Sequence, residues 1–162
     1  MNEGVRMRGV VWPELAFEWN LSPAWANWMD QREGLRCVHC GSNLRSRQLA
    51  KCLIDIFNNR LDLHANCLQE LCQSRAMQAL VVAEINAAGN LHPFLSQLPL
   101  LRYSEYGSLD HDVPSEDLMN LSYSVDTFDL IVNSDVLEHV PDPRRALQEI
   151  HRVLRACDRN WY

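Results

Sequence analysis

Three carboxylates stand at spacings that chemistry uses: Glu84, Glu105 and Asp117. Glu84 lies near the end of an apolar run, and Glu105 follows 21 residues later. An acid about 20 residues on, at the end of a second strand, accepts hydrogen bonds from ribose hydroxyls in dinucleotide-binding sheets. A carboxylate suits that task because it can accept from both hydroxyls at once; the alternative is a surface acid. Tyr106, next in the chain, could lie against a flat base. A second polar group, Asn133, Ser134 and Asp135, ends the apolar run FDLIV at residues 128–132. The pair Glu138-His139 comes just after it. Histidine as a residue type can exchange protons near neutral pH, which makes His139 a candidate base; the alternative is a structural histidine at a helix start. Asn133, Ser134 and Asp135 are better placed to face a reacting group.

These residues need a parallel sheet to position them. Residues 79–85 (ALVVAEI), 101–106 (LRYSEY) and 128–132 read as strands, the first and third apolar enough to be buried. Asp142 is a natural N-cap and Pro143 a natural first helical residue. Ala146, Leu147, Ile150, Val153 and Leu154 then recur at helical spacing. This is half of a βαβ unit, and open α/β sheets bind ligands at the carboxyl ends of their strands.

The stretch FDLIVNSDVLEHVPDPRRALQEIHRVL resembles the fourth strand and following helix of class I S-adenosylmethionine (SAM)-dependent methyltransferases, in the small-molecule type 11 branch. The resemblance runs over about residues 79–155 and implies a partial Rossmann-like α/β fold with flanking helices. In that family an acid precedes a glycine-rich turn; Glu84 matches the acid. Asn86, Ala88 and Asn90 stand where glycines would be, with Gly89 between them. Asparagine tolerates left-handed backbone and alanine is small, so the tight turn is still accessible. The resemblance gives Glu105 the SAM ribose, and gives Asp117, with Leu118 beside it, the adenine. A turn-capping acid is the alternative for Asp117. It further implies a sheet order of 3-2-1-4-5-7-6 and a C-terminally truncated domain, whose tail CDRNWY departs from the family's continuation. The fourth strand is then an open edge that invites pairing with a second copy.

Upstream, Trp12, Trp19, Trp25 and Trp28 are four of the five tryptophans. They either pack an N-terminal arm onto the domain or wall a substrate pocket. Ser22-Pro23 should start a short helix to about Arg32. Cys37 and Cys40 have the CxxC spacing of a zinc knuckle, with His64, Cys67 and Cys72 as candidates to complete four ligands; free thiols are the alternative. Arg45 and Arg47 either meet an anionic substrate or form a solvated face. A helix ending near Asn58-Asn59 and a second within about residues 64–78 should follow. The expected organisation is an aromatic arm (1–36), a CxxC and helical segment (37–78) and a truncated SAM-binding domain (79–162).

The chain has 162 residues, with 15 basic and 21 acidic side chains and a net charge of −6. That balance argues against a general nucleic-acid or anionic-membrane binder. No apolar run of about 20 residues and no secretion signal are visible. Six cysteines then point to a reducing cytoplasm. The leading expectation is methyl transfer from SAM to a small-molecule acceptor. The rivals are an inactive methyltransferase-fold remnant serving as a binding or oligomerisation module and, last, a nicotinamide-binding protein.

Overall fold

The computed structural model describes residues 4–156. Two compact units meet between Leu49 and Ala50. The first opens with strand β1 (Val5–Met7), which pairs antiparallel with β2 (Leu35–Cys37), Val5 opposite Cys37 and Met7 opposite Leu35. Between them lie α1 (Pro13–Glu18) and α2 (Pro23–Gly34). Ser22 caps α2 as its sequence predicts, its side chain accepting from Trp25 N at 3.3 Å. Asp30 on α2 accepts from Val10 N and Val11 N at 2.6 and 2.9 Å, which ties that helix to the segment after β1. The tryptophan rings are exposed, Trp25 and Trp28 in an edge-on pair 5.4 Å apart with Arg32 over Trp28.

Helix α3 (Leu44–Leu61) runs longer at both ends than its apolar stripe suggests. The helix expected within 64–78 is instead two short ones, α4 (Leu68–Gln73) and α5 (Arg75–Gln78). Ser74 breaks them: its backbone turns extended, and its hydroxyl caps α5 by accepting from Met77 N at 3.2 Å. His64 lies outside any helix, and Cys67 is the extended residue before α4, so no helical face presents the two together.

The second unit is built on a three-stranded parallel sheet of β3 (Val82–Ile85), β4 (Leu101–Ser104) and β5 (Leu130–Val132), in the order β4-β3-β5. This is a partial Rossmann-like arrangement, corresponding to the second, first and fourth strands of the expected order. Every residue of central β3 is buried, as a strand covered on both faces requires. The strands are shorter than the apolar runs. Residues 79–81 end the α5 turn, and Glu105 makes an isolated parallel bridge with Ser115. A 3-10 turn (Gly89–Leu91) and α6 (His92–Leu95) follow β3. Helix α7 (Pro143–Val153) starts at Asp142, whose side chain accepts from Arg145 N at 3.1 Å. Its buried Ala146 and Val153 join Ala83, Ile85, Leu118, Leu121, Phe128 and Val136 in one core.

The outer edge of β5 is less bare than expected. Leu154 bridges Phe128, and Arg155 N donates to Phe128 O at 2.8 Å. Arg155 also pairs with Asp129 at 2.8 Å. A mostly apolar groove of about 570 Å³ remains there, lined by Leu53, Ile56, Phe57 and Leu61 of α3, with Leu130 and Leu154. The tail at residues 157–162 lies outside the described residues.

Candidate functional site

Strand register decides which polar residues meet. Glu84 sits opposite Tyr103 on one side and Val132 on the other. The three strand ends are therefore level, and Asn86, Glu105 and Asn133 leave the sheet at the same, carboxyl end.

The loop after β3 is held by side chains. Glu84 is fully buried; one oxygen accepts from Ala88 N at 2.8 Å and the other is 2.7 Å from His92 Nδ1. That commits Glu84 to organising the loop, since both carboxylate oxygens have partners within it. Asn86 takes the left-handed backbone (φ +56°) that the missing glycine would have taken, and Gly89 is left-handed as well. The Asn86 side chain accepts from Tyr106 N at 2.8 Å, joining the ends of β3 and β4. Ala88 is buried, so its methyl belongs to the core.

At the end of β4, Glu105 is half-buried and accepts a hydrogen bond from the Tyr103 hydroxyl. Tyr103 and Glu105 are two apart on an extended segment and share a face. Burial raises the Tyr103 pKa, with the Glu105 hydrogen bond and the charges of Glu105 and Glu84 adding to it, so the phenol stays a donor. The Tyr103 ring also lies 4.5 Å from that of His92. Tyr106 is exposed beside Glu105.

Asp117 is brought close by backbone pairing: Glu105 N donates to Pro114 O, and Glu116 N to Glu105 O. One Asp117 oxygen accepts from Met119 N at 2.8 Å, an Asx turn. Leu118 is buried, so only its backbone can meet a ligand. Buried Glu116 accepts from Ser122 N at 2.9 Å and from the Ser122 hydroxyl, closing this segment into a loop. At the end of β5, Asp135 is left-handed (φ +57°), with Ser134 Oγ 3.4 Å from its carboxylate. His139 is exposed in the turn before α7, its amide donating to Val136 O at 3.0 Å.

Sequence reasoning missed His92 and Tyr103. His92 follows Glu84 by eight residues at a helix start, and Tyr103 precedes Glu105 by two on the same strand face. Only the second spacing carried a signal.

The metal expectation fares differently. Among the described residues, no group of three or more His, Cys, Asp or Glu side chains is placed to hold an ion. Cys72, proposed above as a ligand, is buried and its thiol is pushed up to about 11 by burial, with Cys67 adding to the shift. No described helix is long and apolar enough to cross a membrane.

A parallel sheet with carboxylates and a tight turn at its carboxyl end is a Rossmann-like arrangement, and open sheets of this kind bind ligands at that end. Residues 96–156 match the family model of a methyltransferase domain. No curated protein matches the chain. Glu105, Tyr106, Asp117, Leu118, Asn133, Asp135 and His139 fall inside the matched residues; Glu84, Asn86, Ala88 and Gly89 precede them.

Proposed function

We propose that this chain binds SAM across the carboxyl ends of β3, β4 and β5 and transfers its methyl group to a small-molecule acceptor. The observation that carries this reading is the level register of the strand ends, which brings Asn86 beside Glu105 and Asn133, two residues of the segment matched to a methyltransferase domain. The donor set suits the ligand. Glu105 is a half-buried carboxylate held by Tyr103, placed for the ribose hydroxyls. Asp117 and the backbone at Leu118 lie along the same edge for the adenine. The left-handed turn at Asn86 lets backbone approach the cofactor. When bound, SAM supplies an electrophilic methyl on sulfur. The protein's own work is alignment of that carbon with a nucleophile about 3 Å away. Asn133 and Asp135 face the acceptor in this arrangement.

The test is calorimetric titration with SAM, S-adenosylhomocysteine and NAD. Micromolar binding of the first two and none of NAD is expected. Glu105→Ala and Asp117→Ala should each weaken SAM binding about tenfold, the loss of one hydrogen bond to a charged group. Unchanged affinity in both variants refutes the site assignment; no SAM binding by the parent chain refutes the function.

A further inference from the structure

Glu84 and Tyr103 are register partners on β3 and β4, so their side chains rise from the same face of the sheet. Glu105, two residues after Tyr103, shares that face. His92 is brought to them by the turn into α6, which buried Leu91 and Leu95 seat on the core. Its Nδ1 lies 2.7 Å from Glu84 Oε2, and its ring centroid lies 4.5 Å from that of Tyr103, the planes tilted by 44°. The Tyr103 hydroxyl donates to Glu105 Oε1; Glu105 Oε2 has no partner among the described residues. Each link restricts the next. Glu84 is fully buried and its other oxygen holds the Ala88 amide at 2.8 Å, so it is a fixed point. A ring held to that point fills the space beside Tyr103 and limits the phenol's rotamers. A phenol held in this way fixes one Glu105 oxygen and leaves the other for a ligand. The order is present before any ligand arrives, which is what pre-organisation contributes to affinity.

We propose that His92 is a positioning residue for the cofactor: held by Glu84, it orients Tyr103, and through Tyr103 it sets Glu105 to receive the ribose hydroxyls. This rests on the SAM-site reading above, with Glu105 on the ribose. His92 acts through another side chain and is not a catalytic residue. It also ties the loop after β3 to the acid after β4, so that the turn beside the cofactor and the ribose contact form one unit.

Calorimetric titration of the full chain and its variants with SAM is the test. In His92→Asn the amide nitrogen stands in for Nδ1, which keeps the bond to Glu84 and removes the ring from Tyr103. This variant should keep the parent's melting temperature and bind SAM about fivefold more weakly. Tyr103→Phe removes only a hydroxyl. It should weaken SAM by about the same factor, and it keeps the proposal testable if His92→Asn fails to fold. The decisive readout is coupling. His92→Asn should cause no further loss in a Tyr103→Phe or a Glu105→Ala background, because the route it acts through is already cut. A merely structural histidine lowers affinity by the same factor in all three backgrounds, and that result overturns the proposal. So does unchanged SAM affinity in Tyr103→Phe or in a folded His92→Asn. A parent chain that does not bind SAM, or one whose affinity Glu105→Ala leaves unchanged, overturns the site reading itself and this proposal with it.

Discussion

Two glutamates organise two loops of the second unit in parallel ways. Glu84 and Glu149 each accept a backbone amide across a loop, from Ala88 N at 2.8 Å and from Leu121 N at 3.0 Å. Each also pairs with a cationic or potentially cationic side chain, His92 or Arg152, at 2.7 Å. The settings differ. Glu84 is wholly buried on the central strand at the ligand end of the sheet. Glu149 is partly exposed on α7, where Arg152 also donates to Leu121 O and Tyr123 O. The first carboxylate shapes the turn next to the proposed SAM site; the second pins the loop behind Asp117. A buried carboxylate depends wholly on its fixed partners, whereas water substitutes for part of a lost surface pair.

That contrast gives the largest expected effect. Glu84→Ala removes a fully buried side chain and leaves the buried Ala88 amide without its acceptor, at a combined cost of about 3 kcal/mol. Denaturant unfolding should show it as a lower midpoint with an unchanged slope. Arg152→Ala removes bonds to two carbonyls and to Glu149 but lets water in, and should cost about 1 to 2 kcal/mol by the same measurement. If Arg152→Ala proves the more damaging, the partly exposed latch rather than the buried loop carries this unit.

The sign of the pH response sharpens the comparison further. The hydrogen bonds and charge of Arg152 hold the Glu149 carboxyl below its ordinary value, with the Leu121 amide and Arg145 contributing. A depressed folded pKa contributes stability that is fully present above the ordinary carboxylate value and is lost as pH falls through the folded value. Acid unfolding should therefore begin at a lower stability in Glu149→Gln, and its stability should fall less steeply with acid than the parent's. Equal slopes would remove Glu149 from the acid response.

The sequence made the matched half of the unit readable because its signals are local. The apolar run before Asn133 and the Asp142-Pro143 start of α7 need only neighbours in the chain to be recognised. The sheet's outer strands were over-read because the residues flanking the ladder pair elsewhere: Glu105, after β4, and Phe128, before β5, make isolated bridges instead. The break at Ser74 was invisible because the helical period of Leu68, Leu71 and Cys72 gives no warning of a serine that caps the next helix. The His92 partnership was hidden because one histidine has no periodicity. Its meaning arises only when the turn folds it back onto Glu84. The CxxC was seen, but its proposed closure with His64, Cys67 and Cys72 assumed a continuous helix that does not form.

The smallest effect on stability is expected at Asn86, and it separates two roles of that side chain. Asn86 holds a left-handed backbone that glycine adopts without strain, and its side chain bonds Tyr106 N. Asn86→Gly relieves the first and forfeits the second, each on the order of 1 kcal/mol, so stability should move by no more than about 0.5 kcal/mol. Asn86→Ala forfeits the bond and keeps the strain, and should lose about 1 to 2 kcal/mol. Affinity for SAM reads the second role. If the asparagine side chain stands where backbone must approach the cofactor, Asn86→Gly binds SAM several-fold more tightly than the parent. If instead the link to Tyr106 is what sets Glu105 for the ribose, the glycine variant binds more weakly despite its unchanged stability, and the turn after β3 acts on the cofactor through β4.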